Sequence, residues 1–403
     1  MKHWPSMPLA EAYWFQEGPG VRKWQFHNEG IKLLNVGNIT KEGVLDLSKT
    51  DRHLSVEEVT GKYSHFLADE GDLVVASSGI SFDVDGLLRT RGAFVEKKHL
   101  PLCINTSTIR FKAKDGISTL AWLRYWLDSF EFREQITRLV TGSAQQNFGP
   151  SHLKATEITL PSLAEQKRLV SLLDEADSLR KLRTQSDQRA ASLISALFHE
   201  KFGEPKRNRL KVPVKELGSI CKVVGGGTPS KREPNYWVGE IPWVSPKDMI
   251  GDEVKDSEDH ISERAINESA TNLIPKDSVL VVTRSGILKH TLPIAINSVP
   301  VTINQDIKAF IPMTGCETTF LAAQLRVLAP TILNTVRVGA TVQNLETDGL
   351  KRFSVLCPPL PLQIEFARHV KEIRDLEGKQ ATSRTRLESL FQSMLHRAFN
   401  GEL

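Results

Sequence analysis

An internal repeat with a period near 200 residues is the feature that most constrains this fold. Residues 73–79 match residues 280–286 at an offset of 207 (280 minus 73), and Gln166 reappears as Gln363 at an offset of 197 (363 minus 166). Solenoid repeats have periods of about 20–50 residues. A whole domain together with its connector is therefore duplicated, and loops of different length explain why the offset drifts.

The first part of each repeat has the pattern of a mixed α/β domain. Short β-branched runs at 72–76 and 278–282 are bounded by turn residues and predict strands. One short helix is predicted in each half, at 117–139 and 317–336. The surrounding stretches are rich in Gly, Pro, Thr and Asn, which is typical of loops.

The second part of each repeat has a helical period. After Pro161 and again after Pro361, apolar residues recur at three-and-four spacing over about 40 residues, which predicts long helices with a coiled-coil seam. The seam is polar at 183–189 and 378–386, which indicates either a solvated stretch or a docking surface for another subunit. At ~1.5 Å per residue, 40 residues span ~60 Å.

Connectivity predicts the arrangement of these parts. The first helix carries the chain to the second domain, and the second helix starts there, so helices that pack together must be antiparallel. We predict an α/β (α+β) fold in which two similar mixed α/β domains are joined by a coiled coil of two long antiparallel helices, with a pseudo-two-fold internal repeat. The predicted segments are a first domain at 1–160, a first long helix at 161–202, a linker at 203–211, a second domain at 212–358 and a second long helix at 359–403.

Composition restricts the setting and the partners. There are 52 Lys+Arg against 48 Asp+Glu, a formal net charge of +4, which permits nucleic acid as a partner without requiring it. No apolar run approaches the ~20 residues of a membrane span, so we expect no membrane association. The four cysteines are far apart, without a CxxC pair, which favours neither zinc nor disulfides and suggests a reducing cytoplasm.

The motifs that would indicate catalysis are incomplete. Residues 252–255 resemble the last part of a nuclease motif but lack the upstream acidic residue that such a site needs. Pro358-Pro359 follows a cysteine, whereas an adenine methyltransferase has Asn or Asp at that position. Residues 225–231 lack the Gly-Lys-Ser/Thr ending of a phosphate-binding loop. The histidines have no metal-ligand spacing. We therefore predict neither an active site nor a metal site.

Four stretches in order on this duplicated frame resemble the specificity (S) subunit of Type I restriction–modification systems. They are 17–22 with 30–39, 225–230 with 236–244, 358–363, and 395–403. The resemblance implies that each α/β domain is a target recognition domain for one half-site of a bipartite double-stranded DNA sequence. It also implies that the helices space the domains and bind two modification (methyltransferase) subunits, and that restriction/translocase subunits join the complex. This chain would then have no catalysis and no cofactor, with S-adenosylmethionine and ATP/Mg on the partner subunits.

Direct reading of DNA requires Arg, Asn or Gln at base edges, whereas Lys, Ser and Thr mostly contact phosphates. Polar residues in the predicted loops are therefore the candidates for DNA binding. In the first half they are Arg22, Lys23, Asn35, Asn38, Ser77, Ser78, Arg89, Arg91, Gln145, Gln146 and Asn147. In the second half they are Thr228, Ser230, Lys231, Ser245, Lys247, Asp248, Arg284, Lys289, His290, Gln305, Gln343 and Asn344.

Each candidate also has a structural interpretation, because Asn and Ser in turns often bond to the backbone. The pair Gln146-Asn147 recurs as Gln343-Asn344, and since the halves would read different sequences, a shared pair is as compatible with structure as with specificity. Matched positions with different residues are better candidates for specificity. Four tryptophans are expected in the core, at positions 14, 24, 237 and 243.

Two other classes of protein fit the same frame. A bivalent DNA-binding regulatory or architectural protein would lack methyltransferase partners, and a coiled-coil scaffold would not bind DNA at all. Co-purification with methyltransferase subunits distinguishes the first alternative, and a salt-dependent binding assay with duplex DNA distinguishes the second.

Overall fold

A computed structural model describes residues 4–83, 85–140, 147–208, 210–338 and 343–403. It divides into two compact units. Unit 1 comprises Met1–Arg183 with Ser383–Leu403, and unit 2 comprises Thr184–Thr382. Both divisions fall within the polar stretches of the two long helices. Each unit therefore holds one copy of the α/β domain and one part of each helix, and the finer domain boundaries predicted above stay a prediction.

Unit 1 contains the first copy of the domain. Its strands are β1 Ser6–Pro8, β2 Tyr13–Glu17, β3 Ile31–Leu34, β4 His53–Leu54, β5 Leu73–Ala76, β6 Ser81–Phe82, β7 Leu88–Arg89, β8 Gly92–Phe94, β9 Leu102–Ile104, β10 Thr108–Ala113 and β11 Glu157–Thr159. Its helices are α1 Leu9–Ala12, α2 Val56–Thr60, α3 Leu120–Trp126, α4 Phe130–Leu139, α5 Pro150–Lys154 and the first half of α6 Leu163–Phe202. An antiparallel sheet has the order β2-β10-β5-β8, and a second sheet, β4-β3-β9, pairs β3 with β9 in parallel.

Unit 2 repeats this topology. Its strands are β12 Val214–Glu216, β13 Cys221–Gly225, β14 Ile241–Val244, β15 Glu253–Val254, β16 Asp259–Ile261, β17 Leu273–Ile274, β18 Val279–Val282, β19 Ile294–Asn297, β20 Val301–Ile303, β21 Ile307–Pro312, β22 Arg337–Val338, β23 Gln343–Asn344 and β24 Ser354–Leu356. Its helices are α7 Leu217–Ile220, α8 Glu263–Glu268, α9 Thr318–Leu333, α10 Thr347–Lys351 and most of α11 Leu360–Phe399. The order β13-β21-β18-β19 matches the first sheet of unit 1, and β14 pairs in parallel with β20 as β3 does with β9.

The strands predicted at 72–76 and 278–282 are β5 and β18, and both are fully buried. The helix predicted at 117–139 is instead two helices, α3 and α4. Ser129 causes the break, since its hydroxyl accepts a hydrogen bond from the Phe132 amide at 3.3 Å and caps a new helix. The corresponding α9 continues through Pro330 without such a break.

The two long helices contact each other in both units. In unit 1, Arg168 of α6 donates to the carbonyl of Leu403, and Arg180, twelve residues further on, forms an ion pair with Glu388 at 2.8 Å. In unit 2, Lys201 of α6 bonds to Glu365 near the start of α11, at 2.6 Å. In unit 1 the two helices therefore run in opposite directions, as the connectivity predicted, and in unit 2 the end of α6 lies beside the start of α11.

Aromatic rings join the helices to the domain in unit 2. Phe198 and Phe202 of α6, Phe366 of α11 and Phe320 of α9 lie with ring centroids 5.0–6.0 Å apart. Burial of each ring contributes about 1.5–3 kcal/mol. This cluster therefore makes the helix pair part of the domain's core.

A buried glutamine anchors the start of α6. Gln166 donates to the carbonyls of Ile117 and Pro161 at 3.0 and 2.9 Å and accepts from the Thr119 amide at 3.0 Å. Its side chain is completely enclosed, so these bonds satisfy backbone groups that water cannot reach.

Gln363 has the same role at the start of α11. It donates to the carbonyls of Gly315 and Pro358 at 3.1 and 2.7 Å and accepts from the Glu317 amide at 2.9 Å. The repeat of Gln166 as Gln363 therefore reflects a duplicated anchor between domain and helix.

Candidate nucleic-acid interface

A glycine-containing segment crosses each domain and is here called the strap, residues 18–24 in unit 1 and 226–232 in unit 2. The strap lies directly on a turn between two strands. A Cβ atom at Gly18 would lie 2.4 Å from the Asn105 amide, and one at Gly226 would lie 2.0 Å from the Ile303 carbonyl oxygen. Only glycine permits so close an approach. The Gly residues at these two positions therefore set the path of the strap.

In unit 1, backbone hydrogen bonds connect three loops beside the strap. The Ser77 amide donates to the Ser107 carbonyl at 3.0 Å, and the Phe148 amide donates to the Ser77 carbonyl at 3.0 Å. The side chain of Asn105 accepts from the Ser107 amide at 2.8 Å and closes the turn. The loop after β5, the turn before β10 and the segment before α5 thus form one frame.

Unit 2 has the same frame at equivalent residues. The Thr283 amide donates to the Asp306 carbonyl at 2.8 Å, and the Leu345 amide donates to the Thr283 carbonyl at 2.8 Å. Asn304 accepts from the Asp306 amide at 3.0 Å and closes the turn. These hydrogen bonds pair Ser77 with Thr283, an offset of 206 (283 minus 77), so the offset of 207 that the sequence alone gave for residues 73–79 is wrong by one residue.

The side chains carried by the two frames are different. Ser78 of unit 1 corresponds to Arg284 of unit 2, as each follows the residue that bonds to the turn. In the turn itself, Thr106 corresponds to Gln305 and Ser107 to Asp306. The backbone hydrogen bonds are therefore the same in both units, whereas the side chains at the matched positions differ.

In unit 2 the frame opens into a groove of about 470 Å³. Three predicted DNA-binding residues, Arg284, Gln305 and Asn344, line this groove although they are far apart in sequence. Arg284 also pairs with Asn344 through an isolated backbone bridge. Their convergence in one groove provides one guanidinium and two amides, which are the groups that read guanine and adenine edges.

Sequence reasoning missed other residues of the groove. Lys308 and Arg352 add positive charge, and Glu346 and Asp348 add negative charge. Lys308 lies within strand β21 and Arg352 follows α10, so neither occupies a predicted loop. The alternation of β21, which turns Lys308 away from the buried Ile307 and Ala309, is the signal that could have indicated it.

Several predicted residues are enclosed by the fold. Asn38 is fully buried, and it accepts from the Asn35 amide at 2.9 Å and donates to the Asp46 carbonyl at 3.0 Å. Asn35, Ser77 and Gln343 are buried as well. Asn35 accepts from Asn105 at 2.7 Å, which ties the loop after β3 to the turn. These side chains are enclosed by the protein rather than facing solvent.

Ser245, Lys247 and Asp248 bond to neighbouring protein groups. Both the amide and the hydroxyl of Ser245 donate to Asp248 at 2.8 Å. Lys247 forms ion pairs with Glu258 at 2.8 Å and Asp259 at 3.1 Å, and these hydrogen bonds raise the pKa of Lys247. The loop after β14 is thus held by its own contacts.

The strap of unit 2 presents three predicted residues to solvent. Thr228 donates to Gln305 at 2.6 Å, which ties the strap to the turn. Lys231 lies over the ring of Trp237 at 5.8 Å, and the Trp237 indole donates to the carbonyl of Ser230 at 3.3 Å. The strap is therefore continuous with the groove beside Gln305.

The remaining candidates are mostly at the surface. Arg89 forms an ion pair with Asp83 at 3.2 Å. Side chains that are exposed or half-buried are Arg22, Lys23, Ser78, Arg91 and Asn147 in unit 1 and Lys289 and His290 in unit 2. Gln145 and Gln146 lie outside the described residues. The DNA-binding role of the whole set stays a prediction.

The expectation that four tryptophans are core residues is wrong for two of them. Trp24 is 81% exposed on the strap of unit 1, and Trp14 is 41% exposed beneath the guanidinium of Arg110. Trp243 is buried and donates to the Gly227 carbonyl at 2.9 Å, and Trp237 is half-buried against it. The hydrophobic character of tryptophan alone therefore does not show whether the ring lies exposed on the strap or buried in the core.

Within the ranges described above, no group of three or more His, Cys, Asp or Glu side chains could hold a metal ion. In the same part of the chain, no helix is long and apolar enough to cross a membrane.

Two copies of one α+β domain that carry different polar side chains on the same backbone frame define a duplicated recognition protein. The family model of the Type I restriction modification DNA specificity domain matches residues 26–190 and 210–383. The chain belongs to this family. The fold class predicted from the sequence, with two similar recognition domains, is thereby confirmed.

One relative agrees with this assignment by sequence, and two solved structures share the fold. The chain is 33% identical over 276 residues to the Type I restriction enzyme EcoR124I/EcoR124II specificity subunit of Escherichia coli, a match that covers 65% of this chain and 64% of that relative's length. A chain solved in work on complex assembly and conformational transition of the type I R-M system has a TM-score of 0.64 at 17% identity, covering 100% of this chain and 98% of that one. The Type I restriction–modification S subunit of M. genitalium has a TM-score of 0.53 at 16% identity, covering 98% and 96%.

Proposed function

We propose that this chain is the DNA-recognition (specificity) subunit of a Type I restriction–modification complex and has no catalysis of its own. Each recognition domain reads one half-site of a bipartite double-stranded DNA target. The observation that carries this proposal is the pair of identical frames with different side chains, Ser78 and Thr106 in one unit and Arg284 and Gln305 in the other. Two readers of different sequences require a constant scaffold with exchangeable polar groups.

The partners and cofactors follow from the same proposal. Two modification (methyltransferase) subunits bind the chain, and restriction/translocase subunits join them. S-adenosylmethionine and ATP/Mg belong to those subunits, and this chain binds no cofactor. Family membership supports this assembly, and the incomplete catalytic motifs of the sequence agree with it.

The test is methylome sequencing of cells that carry the intact system, compared with cells in which only this chain is deleted. We expect one split motif of two short half-sites that is methylated only when the chain is present. Purified chain should also co-purify with its modification subunit. Duplex binding without such a partner, and without any methylated motif, would instead identify a bivalent regulatory or architectural protein. A complex that binds no DNA would refute the proposal.

A further inference from the structure

Two matched positions differ together between the units. The first position follows the loop residue whose amide donates to the turn, and it is Ser78 in unit 1 and Arg284 in unit 2. The second position lies two residues after the asparagine that closes the turn, and it is Ser107 in unit 1 and Asp306 in unit 2. A neutral pair of serines in one frame is thus replaced by an oppositely charged pair in the other. Because the backbone hydrogen bonds are the same in both units, the replacement changes the charge of these side chains without changing the hydrogen bonds of the frame.

The guanidinium of Arg284 is available to a ligand. Its side chain is 58% exposed, and its Nε atom lies 3.9 Å from the Asp306 carboxylate, beyond hydrogen-bond distance. Asp306 is more enclosed, and its other carboxylate oxygen accepts from the Asn304 amide group at 3.2 Å. The carboxylate of Asp306 therefore attracts the guanidinium electrostatically without occupying its Nε donor in a hydrogen bond.

The charges of the groove favour a base edge over a phosphate. Glu346 and Asp348 line the groove together with Arg284, Lys308 and Arg352, and Asp306 lies beside Arg284, so three carboxylates balance three cations. Because these charges cancel, a phosphate would gain no net electrostatic attraction in the groove, whereas a neutral base edge needs none and can still accept hydrogen bonds from a guanidinium. An oriented guanidinium matches the O6 and N7 acceptors of guanine, which it contacts through two hydrogen bonds.

We infer that Arg284, positioned by Asp306, reads a guanine in the half-site of unit 2, and that unit 1 has no equivalent reader because serines occupy the matched positions. This inference rests on the proposed function. It goes further in naming the base, the residue that contacts it and the residue that positions that contact.

The experiment uses the complex of the full chain with its modification subunits and duplexes that carry the methylated motif. Each guanine of the motif is replaced in turn by 7-deazaguanine, which lacks the N7 acceptor. For the unaltered chain we expect one guanine at which this replacement weakens binding roughly 5- to 150-fold, the equivalent of ~1–3 kcal/mol. Arg284→Ala should weaken binding by a similar factor and should make it insensitive to 7-deazaguanine at that position. The other half-site should be read as before.

Two further variants separate base contact from charge. Arg284→Lys keeps the positive charge but loses the two-pronged donor geometry, so it should lose discrimination at the same guanine and keep non-specific binding. Asp306→Asn should reduce the discrimination only in part while it raises binding to random duplexes, because a repelling carboxylate is removed. A merely structural role for Asp306 would not raise non-specific binding. The matched control is Arg207→Ala, which removes an exposed arginine paired with Glu204 at 3.1 Å, away from the groove.

The inference is overturned if Arg284→Ala weakens specific and random duplexes equally and lowers the salt dependence by about one ion, since that is the behaviour of a phosphate contact. It is also overturned if no guanine of the motif loses its N7 dependence in Arg284→Ala or Arg284→Lys. The proposed function fails separately, and this inference with it, if the unaltered complex binds all duplexes alike.

Discussion

Gln363 should be a main determinant of the stability of unit 2. Its side chain is 1% exposed and makes three hydrogen bonds to the backbone, to the Glu317 amide and to the carbonyls of Gly315 and Pro358. Gln363→Ala removes all three bonds and leaves these groups in a site that water reaches poorly. At about 1 kcal/mol for each bond, we expect a loss of about 3 kcal/mol in the free energy of unfolding.

The assay is hydrogen exchange of the full chain in its native state, read on peptides from the start of α9 and the start of α11. The protection of their slowest amides should fall by roughly 150-fold, which corresponds to ~3 kcal/mol. Gln392→Ala is the matched control, because this exposed glutamine of α11 donates to the exposed Glu388 at 3.0 Å, and its loss should cost less than ~0.5 kcal/mol. If Gln363→Ala left the protection of both segments within the range of the control, the anchor assigned to Gln363 would be wrong.

Two other predictions concern the tryptophans and the helices. Trp24→Ala should change the free energy of unfolding by less than ~0.5 kcal/mol, because the ring is 81% exposed. Trp122→Ala should lower it by ~3–5 kcal/mol, because that ring is fully buried. Urea denaturation measures both changes, and equal losses would contradict the assigned burial. Four residues inserted into each long helix, near 183–189 and 380–386, add ~6 Å and should lengthen the gap of the methylated motif by about two base pairs at ~3.4 Å each without changing either half-site. An unchanged gap in a system that still methylates DNA would show that the helices do not set the spacing.

The duplication and the helices were predictable because they depend on local pattern. The three-and-four spacing from Pro161 and Pro361 onward predicted helices close to Leu163–Phe202 and Leu360–Phe399. The β-branched runs predicted strands β5 and β18. The break between α3 and α4 was missed, because Ser129 caps a helix only in the backbone conformation that the fold imposes.

The candidate site was only partly predictable. Arg284, Gln305 and Asn344 were chosen as polar residues in loops, and the structure brings them into one groove. Asn38 and Asn35 were chosen by the same rule, and both are buried and bonded to the backbone. A rule based on residue type does not distinguish these two outcomes, since solvent exposure depends on segments that are distant in the sequence.

The sequence by itself determined that one domain occurs twice, that a long helix follows each copy, and that the chain carries polar groups suited to reading DNA. These properties depend on residue order and periodicity, which are visible along the chain. Only the tertiary structure decided that Ser78 and Arg284 are equivalent, because the hydrogen bonds Ser77–Ser107 and Thr283–Asp306 match them where loop lengths differ. It also placed Asp306 beside Arg284. Contacts between distant segments exist only after the strands have paired, so their chemistry is a property of the folded chain.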